Sequence, residues 1–149
     1  MEAKWSEPLE TDRNLSFPLE QLLTERLPWL FKELNFRVVS SSYDARSFGN
    51  STAILESDSL RLRFVRDRGQ VLLDLASVSE RQKWFSLGSL YEAIHHETIK
   101  PEYTLDAKAS LLQKEFPALV EALGPKLRET QEEIERRKKE RLRALGLSS

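Results

Sequence analysis

Two histidines and a run of arginines are the residues whose types and spacing bear first on chemistry. His95 and His96 are the only histidines in the chain. Glu92 stands four residues before His96, on the same face of a helix, which is how a two-ligand metal site begins. Adjacent histidines diverge by about 100° around a helix, so His95 cannot join that pair. Neither a cysteine nor an HExxH pattern completes the set. The histidines therefore read as cations near a helix C-terminus, where the macrodipole favours them, and no metal or cofactor is expected. Serines are numerous, yet none sits in a GxSxG elbow, and the chain carries neither a P-loop nor a GxGxxG fingerprint. Paired-carboxylate catalysis needs two acids converging in one pocket with separated pKa values, and spacing alone does not arrange that. No catalytic residue is named, and an enzyme would require a deep pocket holding converging acids or His96.

The arginines carry more. In residues 60–69, LRLRFVRDRG, Arg61 and Arg63 share one face of a strand while Arg66 and Arg68 flank the turn that follows. Guanidinium groups in such a row can accept phosphates or carboxylates bidentately. The competing reading pairs them across strands with Glu56, Asp58, Asp67 or Asp74 and uses their charge to keep the sheet from associating edge to edge. Aromatic rings for stacking bases are not interleaved, since Phe64 falls on the opposite face and no RRM signature is present. The balancing reading is therefore favoured. Together with Arg46, Phe48 and Asn50 of the preceding loop and Asp67 of the turn, the four arginines form the candidate partner-binding set.

These residues need a sheet to position them. Residues 36–43 are β-branched and serine-rich and predict a first strand, followed by a loop over 44–50 with Gly49 beside Asn50. A second strand over 51–56 puts Ala53 and Leu55 on one face and Thr52, Ile54 and Glu56 on the other. Leu60, Leu62 and Phe64 alternate with Arg61, Arg63 and Val65, the clearest period of two in the chain. A turn with Gly69 then leads to a fourth strand over 71–76. Four strands with short connections predict an antiparallel meander, one face on helices and the other partly wet.

Helices flank this sheet. Leu19, Leu22, Leu23, Leu27, Leu30, Phe31 and Leu34 recur at helical spacing over 18–35, with Pro28 predicting a break near Arg26 and Leu27. Residues 84–97 run from WFSLG into a helix, and 105–123 continue the helical pattern, with Pro117 expected to divide it in two. Gly124 and Pro125 punctuate the chain as a C-cap and a first-turn proline. The stretch 125–145 is nearly all helix formers, and Glu132, Glu133 and Glu135 precede Arg136, Arg137 and Lys139 at i, i+4, each pair stabilising a solvated helix by roughly 0.2–0.5 kcal/mol. Its thin apolar seam of Leu127, Ile134 and Leu142 suits homodimerisation. The expected organisation is an N-terminal arm over 1–16 in which Trp5 docks, one α+β domain over 17–124, and a charged helical extension over 125–149.

Composition agrees with a folded domain. The 149 residues are 40% hydrophobic and 32% charged with a net charge of −1, which excludes a disordered polyelectrolyte and a uniformly basic nucleic-acid coat. Charge is nonetheless polarised: residues 1–25 hold six acids against two bases, and 126–143 hold eight bases against five acids. The start MEAKWS lacks the apolar segment of a signal peptide, and no apolar run approaches the ~18 residues of a membrane span. A cytoplasmic location is expected.

The segment YDARSFGNSTAILESDSLRLRFVRDRGQVLLDL, with WFSL downstream, resembles small uncharacterised bacterial proteins, some of them similar to immunity proteins of polymorphic toxin systems. The likeness spans residues 36–90 and rests on the SFGN loop and the LRFVRDRG turn. It implies a bacterial cytoplasmic protein that works by contact with another protein. The sequence thus leads to a non-enzymatic protein-binding module, with nucleic-acid or polyanion binding through the arginines and the basic tail as the alternative.

Overall fold

The computed structural model describes residues 17–147, so the arm expected over 1–16, with Trp5, lies outside the described residues. Five strands form one antiparallel sheet in sequential order: β1 (Arg37–Asp44), β2 (Asn50–Glu56), β3 (Leu60–Asp67), β4 (Gln70–Ser77) and β5 (Phe85–Ser86). The meander is as the sequence predicts, with one strand more. Phe85 and Ser86 pair with Leu75 and Asp74 before the chain turns helical. Two residues are too few to display a period of two, so the segment reads as the run-in to a helix.

Alternation decides which face the helices cover. Ala53, Leu55, Leu60, Leu62, Phe64, Val71, Leu73 and Leu75 are buried with Leu19, Leu23 and Leu30 of the first helices and Leu90, Leu112 and Leu119 of the later ones in one core. On the opposite face Thr52, Ile54 and Val65 are partly open and Leu72 is exposed. The outer edge, β1, carries a bulge at Val39, where register shifts between Val38 and Ser40. A bulge twists an edge strand away from flat pairing with another sheet.

Pro28 breaks the first helix where the sequence predicts. α1 (Leu19–Arg26) ends, Leu27 leaves helical geometry at φ −126°, and α2 (Pro28–Lys32) starts with the proline in its first turn, where no N–H is required. The start of α1 is capped through tertiary structure: the Leu19 N–H donates to Ser51 Oγ of β2 at 2.9 Å. α3 (Leu87–His95) and α4 (Leu105–Ala122) have local caps, Ser86 Oγ accepting from the Ser89 N–H and Thr104 Oγ1 from the Ala107 N–H.

Pro117 does not divide α4, which runs unbroken through it. The missing N–H costs only the Gln113 carbonyl its partner, and Gln113 and Pro117 are both exposed, so water replaces the bond. Leu112 before the proline and Leu119 after it are both fully buried, and that anchoring holds the helix together. Gly124 is not in the left-handed conformation of a C-cap glycine; a Cβ there would stand 2.9 Å from the Val120 carbonyl oxygen.

α5 (Leu127–Ala144) docks by its first half against α3 and α4. Thr130 is buried, and Leu127 and Ile134 pack against the core of the same chain. A homodimer seam over Leu127, Ile134 and Leu142 would have to compete with that docking. Of the three expected i, i+4 ion pairs, Glu133 and Arg137 approach to 3.7 Å, while Arg136 bonds Glu133 and Glu140 at 2.6 Å each.

Candidate functional site

An antiparallel meander brings the β1–β2 loop and the β3–β4 turn to the same end of the sheet. Arg68 and Gly69 form a two-residue turn with φ of 53° and 84°, the left-handed pair whose twist suits a hairpin. In the loop 45–49, Phe48 and Gly49 also have positive φ, 59° and 70°. The Asp44 carboxylate accepts from the Arg46 N–H and from Ser47 Oγ, both at 3.0 Å, which folds the loop on itself. Asn50 Oδ1 accepts from the Arg68 N–H at 2.8 Å, tying the two hairpins together. The Arg68 guanidinium lies 5.9 Å from the centroid of the Phe48 ring. Phe48 is nevertheless 65% exposed. Arg46, Phe48, Asn50, Asp67 and Arg68 are thus brought together at one tip.

Arg66 belongs beneath this tip rather than on it. It continues the core-facing series Leu60, Leu62, Phe64, and its side chain is completely buried. Its Nε donates to the Gly49 carbonyl at 2.9 Å and its Nη2 to the Phe17 carbonyl, so one guanidinium clamps the loop and the chain entering α1 to the sheet. Ser51 Oγ reinforces the junction by donating to the Ser42 carbonyl at 2.7 Å. The alternation of β3 contained this placement: position 66 has the parity of 60, 62 and 64, and the pull of an arginine towards a surface reading hid it.

Arg61 and Arg63 form a second cluster on the outward face, around a residue the sequence reading left out. Trp84 lies under both guanidinium groups, 5.0 Å from that of Arg61 and 4.5 Å from that of Arg63. Arg63 donates twice to Asp74 Oδ2, at 3.2 and 2.8 Å, across the direct cross-strand register. Arg61 donates to Glu56 at 3.3 Å and to the Arg81 carbonyl at 2.6 Å. Arg81 grips both oxygens of Glu56, at 2.7 and 2.8 Å, and with Arg61 it holds that carboxyl below its ordinary pKa. The cross-strand acids Glu56 and Asp74 therefore partner these arginines, as the balancing reading expects. A tryptophan just before the strand-like FS, two strands from paired arginines, was the signal available for Trp84.

The histidines go to separate carboxylates. His95 Nε2 lies 2.7 Å from Glu115 Oε1 of α4, and His96 Nδ1 lies 3.3 Å from Glu133 Oε2 of α5. His96 caps α3 in the left-handed conformation, at φ 57°. Glu92 does not converge on it: one oxygen accepts from the Ile99 N–H at 3.1 Å and the other lies 3.5 Å from Arg141. The three residues tie α3 to α4, to α5 and to the following loop.

No family model, curated protein or solved structure matches this chain.

Proposed function

We propose that this protein is a binding module for another protein, acting by contact through the tip of Arg46, Phe48, Asn50, Asp67 and Arg68. The observation that carries the reading is Phe48, a large aromatic side chain 65% exposed on a backbone held at φ 59°. A non-glycine residue in that conformation costs roughly 1–2 kcal/mol, and an exposed ring returns little of it to folding. Aromatic and arginine side chains are the usual anchors of protein interfaces, and Arg68 stands beside the ring. The buried clamp from Arg66 to the Gly49 carbonyl pre-organises the loop, which lowers the ordering cost of association. A bacterial, immunity-like role, one protein blocking another in the cytoplasm, is the form of contact the SFGN and LRFVRDRG resemblance suggests.

The polyanion alternative draws on the four arginines as a row together with the basic tail, and the row is the part the geometry disfavours. Arg61 and Arg63 instead face acids and Trp84, and Arg66 lies inside. The test uses affinity capture from the native cell at low and moderate salt, comparing wild type with Phe48→Gly and with Lys83→Ala, an exposed residue away from the tip. A stoichiometric protein partner retained by wild type and Lys83→Ala and lost from Phe48→Gly supports the reading. Recovery of no stoichiometric partner, or equal recovery by all three, overturns it.

A further inference from the structure

Away from the tip, the N-terminal turn of α3, the segment 99–102 and α4 enclose a cleft of about 450 Å³, within the range of small-ligand sites. Its apolar wall is Ile99, Pro101 and Leu111, and three lysines, Lys100, Lys108 and Lys114, face it against a single acid, Glu102. A second lobe of about 310 Å³ shares Gly88, Ile99, Pro101 and Lys108 with the first, so Lys108 stands where the two meet. Lys100 and Lys114 are exposed, whereas Lys108 is half-buried. Among the described residues Lys108 has no carboxylate within ion-pair distance, and its ammonium sits 5.5 Å from the centroid of the Tyr103 ring. Burial holds its pKa below the usual lysine value, with Asp74 and Glu102 pulling the other way.

A lysine on a wall normally extends its ammonium to water or to an acid. Lys108 does neither fully, and it lies beside the apolar surface of the first lobe, where Lys100 and Lys114 outnumber Glu102, while Asp74 and Glu92 line the second lobe. That combination complements a molecule with one anionic end and an apolar body. We propose that this cleft binds a small organic acid, an acyl or aryl carboxylate, with its carboxylate on the Lys108 ammonium and its apolar body against Ile99, Pro101 and Leu111. The inference is independent of the protein-binding tip.

Octanoate titrated into the isotopically labelled full chain tests it by NMR. The expected result is saturable movement of the amide signals of Gly88, Ile99 and Leu111 with a dissociation constant on the order of 1 mM, as befits so small a ligand. Lys108→Met is expected to weaken binding about tenfold, and uncharged octan-1-ol to bind wild type about tenfold more weakly than octanoate. Gly88→Leu fills the shared part of both lobes and is expected to abolish binding; a Cβ at Gly88 meets only Ile99 Cγ2, at 3.7 Å, so the backbone tolerates it. Unmoved cleft signals, equal affinity for octan-1-ol, or undiminished binding in folded Lys108→Met or Gly88→Leu overturns the proposal. The octan-1-ol comparison needs no variant, so it decides the matter even if the substitutions prevent folding.

Discussion

Two arginines three residues from a common turn glycine and one residue from it do opposite work. Arg66 is buried and donates to two backbone carbonyls, so Arg66→Met leaves the Gly49 and Phe17 oxygens without that donor. The orphaned Gly49 carbonyl is buried and costs roughly 1–3 kcal/mol, while the Phe17 oxygen, on an exposed residue, can turn to water, so the expected loss in urea unfolding is about 1–3 kcal/mol. Arg68→Ala removes an exposed side chain and is expected to stay within about 0.5 kcal/mol of wild type. Similar losses for both would refute the buried clamp. At Phe48 the expectation has the opposite sign for folding and for binding. Phe48→Gly relieves the left-handed backbone while removing the ring, so stability should remain within about 1 kcal/mol of wild type or rise. A loss well beyond that, measured by the same unfolding, would mean the ring serves the fold.

At the scale of elements, α5 is the informative one. Its mean composition is that of a solvated helix, yet Thr130 is buried and Ile134 packs against the core where α5 meets α3, and His96 to Glu133 and Arg141 to Glu92 are polar links across that contact. Surface ion pairs of this kind contribute about 0–1 kcal/mol each, so the apolar contact must dominate the docking. Ile134→Asp is therefore expected to release α5, with amide protection lost over 127–144 and kept in β2, β3 and β4. Glu140→Gln, which removes only an exposed partner of Arg136, should leave protection unchanged. Equal protection of α5 in wild type and Ile134→Asp, read by hydrogen exchange, would show that its helix is held by its own sequence. α4 teaches the converse: Pro117 is tolerated because burial on both sides of it, at Leu112 and Leu119, outweighs one lost hydrogen bond to an exposed carbonyl.

For the whole molecule, the acid limb of stability is set by carboxylates that the fold holds ionised. The hydrogen bonds from Arg81 lead in lowering the pKa of Glu56, and those from Arg136 lead for Glu133. Both folded values lie below the ordinary 4.5. Such groups contribute stability that is fully present above the unfolded value and is lost as pH falls through the folded one. The melting temperature is thus expected to hold from neutrality to about pH 5 and to decline below about pH 4.5. Glu56→Gln should start lower at neutral pH and decline less steeply in acid; superimposable acid profiles for the two proteins would contradict the assignment.

Much of this was legible in the order of residues. Period-two alternation gave β2, β3 and β4 and assigned Leu60, Leu62 and Phe64 to the core, because a half-buried strand must alternate. Pro28 located the helix break and Gly69 the hairpin turn, because each restricts or frees the backbone locally. No helix among the described residues is long and apolar enough to cross a membrane, and the sequence carries no such run. Tertiary structure alone decided the rest. It gave Arg66 the Gly49 and Phe17 carbonyls as partners, laid Trp84 beneath Arg61 and Arg63, kept α4 whole and seated α5 on α3. Each of these depends on contacts between residues far apart in the chain, about which local periodicity and propensity say nothing.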